Sequence, residues 1–253
     1  MTDNHPTSPA VPPVTPIGQP TPRQAFRPYA TYVLMGICVL VYLIQVSTQS
    51  ALGVDIPAAI GIKDNSLILQ GQLWRLFTPI FLHGSILHIG FNMYALFFLG
   101  RTLERFYGRQ RYLGLFLLGG FAGNVISFMF SKYDSLGSST AIFGLLGAEG
   151  VLIYQNRGIF GPVARTALSQ VVVIAVVNLI IGLTPNSAID NWGHIGGLVG
   201  GTLFAWFGGP VLQRLNQDAV FNSRTQREVV VAGVGVGVLF VFLTVVAILV
   251  RRG

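Results

Sequence analysis

Charged side chains are scarce in this chain: they make up only 10% of its 253 residues, whereas 52% of the residues are hydrophobic. A soluble domain contains about 25% charged residues, so the composition excludes an ordinary water-soluble protein. The apolar excess is concentrated in stretches of roughly 17–25 residues, the length of a helix that crosses a bilayer. Seven such stretches begin at about Tyr29, Ser85, Tyr112, Ser138, Thr166, Asn191 and Val229.

Backbone polar groups cannot stay unpaired in lipid, and these apolar stretches are too long and unbroken for the alternating strands of a barrel. The predicted fold class is therefore all-α, a polytopic membrane helical bundle. The lipid bilayer is its expected environment.

Cysteine is almost missing as well. The single Cys38 lies inside the first apolar stretch, so an intrachain disulfide is excluded and a packing role is expected. Neither a His-Glu-x-x-His motif nor a cysteine pair occurs, so we predict no metal site and no cofactor. No convincing internal repeat is present, which weakens a transporter built from inverted halves.

The formal net charge of +7 does not form one basic stripe, so nucleic acid is not an expected partner. The basic residues instead indicate membrane orientation, because cytoplasmic loops are enriched in lysine and arginine. With the N-terminus inside, eleven are cytoplasmic and five are outside, which favours N-inside and C-outside topology. The compact core and the absence of a transit-like basic N-terminus make a bacterial cytoplasmic membrane the expected location. The inside set is Arg23, Arg27, Arg101, Arg105, Arg109, Arg111, Arg157, Arg165, Arg214, Arg224 and Arg227, and the outside set is Lys63, Arg75, Lys132, Arg251 and Arg252.

The chain divides into four predicted segments. Residues 1–28 lack an apolar core and contain eight of the thirteen prolines, which predicts a disordered cytoplasmic tail and no signal peptide. A helical core spans residues 29–208, a polar cytoplasmic linker spans 209–228, and a seventh transmembrane helix with a short C-terminus spans 229–253. Between the first two spans, residues 47–84 form a long outer segment whose length favours a functional, partly embedded element.

Polar groups inside membrane spans are energetically costly and therefore indicate function. Three clusters of such residues lie near the outer helix ends and are the candidates for the chemistry. His88 and Asn92 are four residues apart and share one helix face, where they suit either hydrogen-bond donation to one oxygen or a pair of interhelical hydrogen bonds. Ser139 follows Gly137 at the start of the fourth span. His194 lies near the start of the sixth span, whose glycines allow a neighbouring helix backbone to approach closely.

Together with Trp74-Arg75 in the long outer segment, these clusters occur in the order His88-x3-Asn92, Gly137-x-Ser139 and His194-x2-Gly197-x3-Gly201. A weaker match is Gly100-x3-Glu104-x3-Gly108. The set resembles the rhomboid family of intramembrane serine proteases, from about Tyr29 to Gly208. The resemblance implies six core helices, with the extra C-terminal span matching the six-plus-one variants of the family.

The resemblance also implies residue roles. Ser139 is the expected nucleophile, His194 its general base and later acid, and the Ser139 amide with His88 and Asn92 the expected oxyanion hole. Phe143 is expected to pack on the His194 ring, with further support from Gly137, Gly197, Trp74 and Arg75. The implied reaction is hydrolysis of peptide bonds in or near the transmembrane segments of single-span proteins, while the oligomeric state stays open.

Thr140 departs from the family pattern, which has glycine after the catalytic serine, and we expect its side chain to crowd the contact between the fourth and sixth spans. Asp190, four residues before His194, or its neighbour Asn191 is expected to be a helix cap, with Asp190 as a third triad member as the alternative. Glu149 lies about 15 Å deeper than Ser139 at 1.5 Å per residue, too far for the chemistry, so a structural carboxyl is expected. His83 is expected to support the outer segment.

Two other function classes compete with a protease. One is a catalytically inactive rhomboid-like protein that binds membrane clients, which loss of Ser139 or His194 would favour, although both are present. The other is a transporter or channel, suggested by Glu149, Asn124 and Asn178 within the spans, but no charged file along one bundle face supports it.

Overall fold

The computed structural model describes residues 26–185, 187–214 and 220–252, and helices dominate it, as the sequence predicts. The α-helices are α1 Tyr29–Leu52, α2 Ile56–Gly61, α3 Asn65–Leu69, α4 Ile86–Ala95, α5 Arg101–Tyr107, α6 Arg109–Phe130, α7 Ser139–Gln155, α8 Arg157–Phe160, α9 Val163–Gly182, α10 Asn191–Gly208 and α11 Gln226–Arg252. A π-helical turn, Leu96–Gly100, joins α4 to α5 in one continuous rod.

Five of these helical rods are long and apolar enough to cross a membrane: α1, α4–α5, α6, α9 and α11. Helix α7 is shorter, with 17 residues, and α10 is rich in glycine. All seven begin within three positions of the predicted starts. The predicted helical membrane bundle is confirmed, whereas the number of seven membrane crossings stays a prediction.

Glycines bring α7 and α10 into backbone contact at the centre of the bundle. A Cβ atom added to Gly197 would lie 2.0 Å from the carbonyl oxygen of Thr140, and one on Gly201 would lie 2.0 Å from that of Gly144. Any side chain at either position would push the helices apart, as the small-xxx-small spacing predicts. This contact places the first turns of α7 and α10 side by side.

The long outer segment is folded, with α2, α3 and two 3₁₀ turns, Leu73–Leu76 and Thr78–Phe81. The buried Arg75 guanidinium donates hydrogen bonds to the carbonyl oxygens of Ala59 and Ile62, at 2.7 and 2.9 Å. Trp74 Nε1 donates to the carbonyl oxygen of Ile60 at 3.1 Å. The Trp74-Arg75 pair therefore closes this segment on itself.

At the opposite end of the bundle, contacts of Glu104 and Gly100 account for the Gly100-x3-Glu104-x3-Gly108 motif. Its buried carboxylate accepts hydrogen bonds from the amides of Ala30 and Thr31 and from the Thr31 hydroxyl, at 2.8–3.0 Å. These amides belong to the first turn of α1, which has no helical partners for them and carries partial positive charge. A side chain at Gly100 would collide with Tyr112, at 2.5 Å.

The segment from residue 209 to 228, predicted as a linker, contains a small antiparallel hairpin. Strand β1, Leu212–Arg214, pairs with β2, Val220–Asn222. Helix α11 then begins at Gln226, three residues before the predicted start. The predicted disorder of the N-terminal tail falls almost wholly on residues 1–25, which lie outside the described residues.

Candidate active site

Ser139 is the first residue of α7 and is half-buried. The chain enters the helix through Gly137, whose φ of 126° is strained for any other residue and whose amide donates to the carbonyl oxygen of Pro79 at 2.9 Å. A Cβ atom at Gly137 would lie 2.6 Å from His88 Nε2. Glycine is therefore required here by both conformation and space, and it sets the serine beside His88.

His194 lies in the first turn of α10 and is buried. Its ring stacks on Phe143 with centroids 4.0 Å apart and planes 12° from parallel, the contact that the resemblance leads us to expect. Among the described residues, the hydrogen bonds do not include one between the Ser139 hydroxyl and His194. Serine–histidine bonds are commonly longer in free enzymes than in their substrate complexes.

His88 and Asn92 both lie on α4. The amide of Gly84 donates to His88 Nδ1 at 3.4 Å, so in the neutral ring the proton resides on Nε2, the atom that faces Gly137. Asn92 Nδ2 donates one of its two protons to the carbonyl oxygen of His88 at 2.9 Å. Each side chain therefore keeps one donor for a further acceptor.

A second serine–histidine pair lies directly beside the first. His83 Nε2 is 3.2 Å from Ser138 Oγ, and both side chains are fully buried. The backbone amide of His83 also donates to Gln45 Oε1 at 3.0 Å. His83 thus links α1 to the segment that enters α7, while its supporting role stays a prediction. Its partner Ser138 was not predicted, because sequence spacing does not reveal contacts between separate elements.

The Thr140 side chain does not separate α7 from α10, in contrast to the expected crowding. Its side chain fills a notch between Gly123 of α6 and Gly193 of α10, where added Cβ atoms would lie 2.6 and 2.9 Å from it. Gly197 still reaches the Thr140 carbonyl. The Thr140 hydroxyl is buried without a hydrogen-bond partner among the described residues.

Of the two predicted cap residues, Asp190 caps α10: its Oδ1 accepts a hydrogen bond from the amide of Gly193 at 2.9 Å. Its Oδ2 accepts from the hydroxyl of Ser127. The buried His194 Nδ1 has no hydrogen-bond partner in the described part of the chain, so the alternative of Asp190 as third triad member is wrong.

Glu149 lies more than two turns further along α7 than Ser139 and borders a separate cavity of about 150 Å³ beside Thr102 and Phe106. Within residues 26–185, 187–214 and 220–252, no three His, Cys, Asp or Glu side chains cluster as metal ligands would.

The fold and this arrangement define an integral, multi-pass helical membrane protein whose serine and histidine lie on adjacent, tightly packed helices. A family model described as Rhomboid domain matches residues 70–211. The rhomboid protease GluP of Bacillus subtilis is 38% identical over 214 residues, covering 85% of this chain and 40% of that protein. The chain belongs to the rhomboid family.

Relatives occur in other kingdoms as well. RHOMBOID-like protein 1 of Arabidopsis thaliana is 36% identical over 166 residues, covering 65% of this chain and 41% of that protein. Rhomboid-like protease 1 of Toxoplasma gondii is 32% identical over 167 residues, covering 63% of this chain and 57% of that protein. The chain thus spans about half the length of the relatives it matches.

Proposed function

We propose that this chain is an intramembrane serine endopeptidase that hydrolyses peptide bonds in or near the transmembrane segments of single-span proteins. Ser139 is the nucleophile and His194 is its base. The observation that carries the proposal is the pairing of a half-buried serine at one helix start with a histidine on the touching helix, its ring stacked on Phe143. The two relatives named as rhomboid proteases agree with it.

The chemistry follows from the side chains. A serine hydroxyl is a weak nucleophile until a neighbouring base takes its proton, which is the role of His194. Ser139 Oγ then attacks the peptide carbonyl carbon, and His194 returns the proton to the departing amine. Water, deprotonated by His194, releases the acyl group and regenerates the free serine.

The negative oxygen of the tetrahedral intermediate needs donors. The Ser139 amide is in the first turn of α7, where no helical acceptor uses it and the helix dipole favours negative charge. His88 Nε2 and the second proton of Asn92 Nδ2 complete the set. In a site with little water, each donor contributes roughly 3–4 kcal/mol to the transition state.

The neighbouring Ser138 is the alternative nucleophile that the sequence alone allows. Its hydroxyl is fully buried and already paired with His83, so a substrate cannot reach it. Ser138→Ala is therefore the matched control for Ser139→Ala, because the two variants remove the same atom from adjacent residues.

The test uses the full chain purified into liposomes with a single-span substrate. We expect the parent and Ser138→Ala to cut the substrate and to be labelled by a fluorophosphonate serine probe, and Ser139→Ala to do neither. Full turnover by a folded Ser139→Ala protein would contradict the assignment. A parent that binds the substrate but neither cuts it nor takes up the probe would indicate a catalytically inactive client-binding relative.

A further inference from the structure

Lys63, between α2 and α3, is a lysine without any exposed surface. Its ammonium donates hydrogen bonds to Ser127 Oγ of α6 at 3.0 Å and to the carbonyl oxygen of Tyr133 at 2.6 Å. Its backbone forms an isolated antiparallel bridge with Ser135, with bonds of 3.0 and 3.2 Å. Lys63 therefore holds the loop of residues 131–138, which leads directly into Ser139.

The same ammonium is connected to the helix that carries His194. The Ser127 hydroxyl accepts the hydrogen bond from the Lys63 ammonium and itself donates a hydrogen bond to Asp190 Oδ2. The other carboxylate oxygen of Asp190 accepts a hydrogen bond from the amide of Gly193. The backbone carbonyl oxygen of Asp190 accepts one from the amide of His194 at 3.0 Å. The buried Lys63 ammonium is thus connected by hydrogen bonds to the 131–138 loop before Ser139 and, through Ser127 and Asp190, to the first turn of α10 that carries His194.

A buried ammonium is costly unless an opposite charge compensates it. Asp190 before α10, Asp134 in the 131–138 loop and Asp64 at the start of α3 face Lys63 with negative charge, whereas Arg251 at the end of α11 opposes it. Burial is the largest influence, and it lowers the pKa of Lys63 to about 8. The ammonium therefore persists at neutral pH and is lost in mildly alkaline solution.

We propose that Lys63 is a positioning residue, which holds the 131–138 loop and the first turn of α10 in register through Ser127 and Asp190. The inference rests on the proposed protease function. The positive charge is the essential feature, because a neutral amine still donates to Tyr133 but no longer compensates the carboxylate of Asp190. Loss of this charge lets Ser139 and His194 drift apart, and a misplacement of about 1 Å can cost roughly a hundredfold in rate.

The pH dependence separates positioning from a purely structural role. A lysine in the unfolded chain titrates near pH 10.4, above the pKa of about 8 for Lys63 in the folded protein. Between these values the unfolded chain binds more protons, so the contribution of Lys63 to folding stability rises with pH. Positioning predicts that turnover falls in the same interval, while a purely structural lysine would move activity and stability in the same direction.

The experiment measures kcat, KM and melting temperature from about pH 6 to about pH 11, an interval that spans both pKa values. The proteins are the parent, Lys63→Met, Lys63→Arg and Asp190→Asn, with Lys132→Met as matched control, since Lys132 is exposed in the same loop. Asp190→Asn retains a good helix cap while removing the counter-charge.

For the parent, we expect kcat to fall above about pH 8 with little change in KM. Lys63→Met should lower kcat about ten- to a hundredfold at pH 7 and lose the alkaline decline. Lys63→Arg should recover activity and keep it to higher pH, because a guanidinium stays charged. Asp190→Asn should shift the decline to lower pH, and Lys132→Met should match the parent.

Two outcomes would overturn the positioning role: a parental kcat in folded Lys63→Met, or an unchanged alkaline decline in that variant. If Lys63→Arg does not fold in the buried site, the shift in Asp190→Asn decides, since an unshifted decline there contradicts the coupling. Cleavage and probe labelling by the parent at pH 7 test the protease proposal separately, so a failure of that proposal is recognised before the variants are compared.

Discussion

At the scale of single residues, Ser139 and His194 should act as one unit. Ser139→Ala and His194→Ala should each abolish measurable cleavage, and the double variant should be no worse than either, because a nucleophile without its base is as inactive as a base without its nucleophile. Single-turnover cleavage in liposomes measures the rates. Melting temperatures within a few degrees of the parent would show that folding is intact, and clearly additive losses would contradict the pairing.

Substitution of the proposed oxyanion donors should give graded losses of turnover. His88→Ala and Asn92→Ala should each lower turnover roughly ten- to a thousandfold, since the other donors remain. Substrate binding should change less than the rate, because these groups contact an oxygen that becomes charged only in the transition state. Substrate binding is measured with His88→Ala or Asn92→Ala combined with Ser139→Ala, so that the bound substrate is not cleaved. A variant that binds weakly yet cuts its bound substrate at the parental rate would make its residue a docking group.

Thr140 follows the proposed nucleophile and is the residue that departs from the expected family pattern. Its side chain is wedged between Gly123 and Gly193, beside the first turn of α10. We expect Thr140→Gly to let that turn move closer to Ser139 and to raise turnover, at a stability cost of about 1–3 kcal/mol from helix propensity and the emptied notch. Turnover and thermal stability are measured on the same samples. A folded variant that cuts more slowly would show that Thr140 is adapted to this site.

At the scale of elements, the contact between α7 and α10 depends on glycines that have no space for a side chain. Gly201→Ala would place a methyl group 2.0 Å from the Gly144 carbonyl oxygen, so we expect the helices to separate, with a loss of about 1–3 kcal/mol in stability and reduced turnover. Gly235→Ala on α11 is the matched control, because nothing lies within 4 Å of its added Cβ. Unfolding and cleavage assays on both variants test the difference, and equal stability of the two would contradict the packing argument.

The helices were predictable from sequence because their signals are local. Apolar length predicted the starts of α1 and α10 at Tyr29 and Asn191, and small-xxx-small spacing predicted that α10 would touch a neighbouring backbone. Which helix it touches, and through which residue, depends on the packing of the whole bundle. The hairpin before α11 was missed because its two strands have only three residues each, too few for a periodic pattern.

The candidate site shows the same limit. Ser139 and His194 were identified from motifs, and the stacking of Phe143 was expected by resemblance, but both remain assignments that activity must test. The pairs His83–Ser138 and Lys63–Ser127 join residues 55 and 64 positions apart. Sequence spacing carries no information on such contacts, and a lysine in an outer segment is ordinarily exposed, so its burial could be learned only from the fold.

At the scale of the whole molecule, the distribution of basic residues predicts an orientation that the fold itself does not fix. Eleven basic residues on one side against five on the other predict a cytoplasmic N-terminus, and with it a candidate site near the outer face, where water can reach Ser139. In the opposite orientation the same site would lie near the cytoplasmic face and would meet the cytoplasmic side of a substrate's transmembrane segment. Under the proposed protease function, the orientation would decide on which side of the membrane the cleaved products are released.

Labelling of an introduced cysteine tests this orientation with little background, because the native Cys38 is completely buried. Lys132 and Arg165 are exposed residues predicted to lie outside and inside, respectively. In intact cells, a membrane-impermeant maleimide should label Lys132→Cys and spare Arg165→Cys, while both should react after permeabilisation. Labelling in denaturing detergent controls for the amount of protein. The reverse pattern in intact cells would place Ser139 and His194 near the cytoplasmic face, because Lys132 lies in the loop that leads into Ser139.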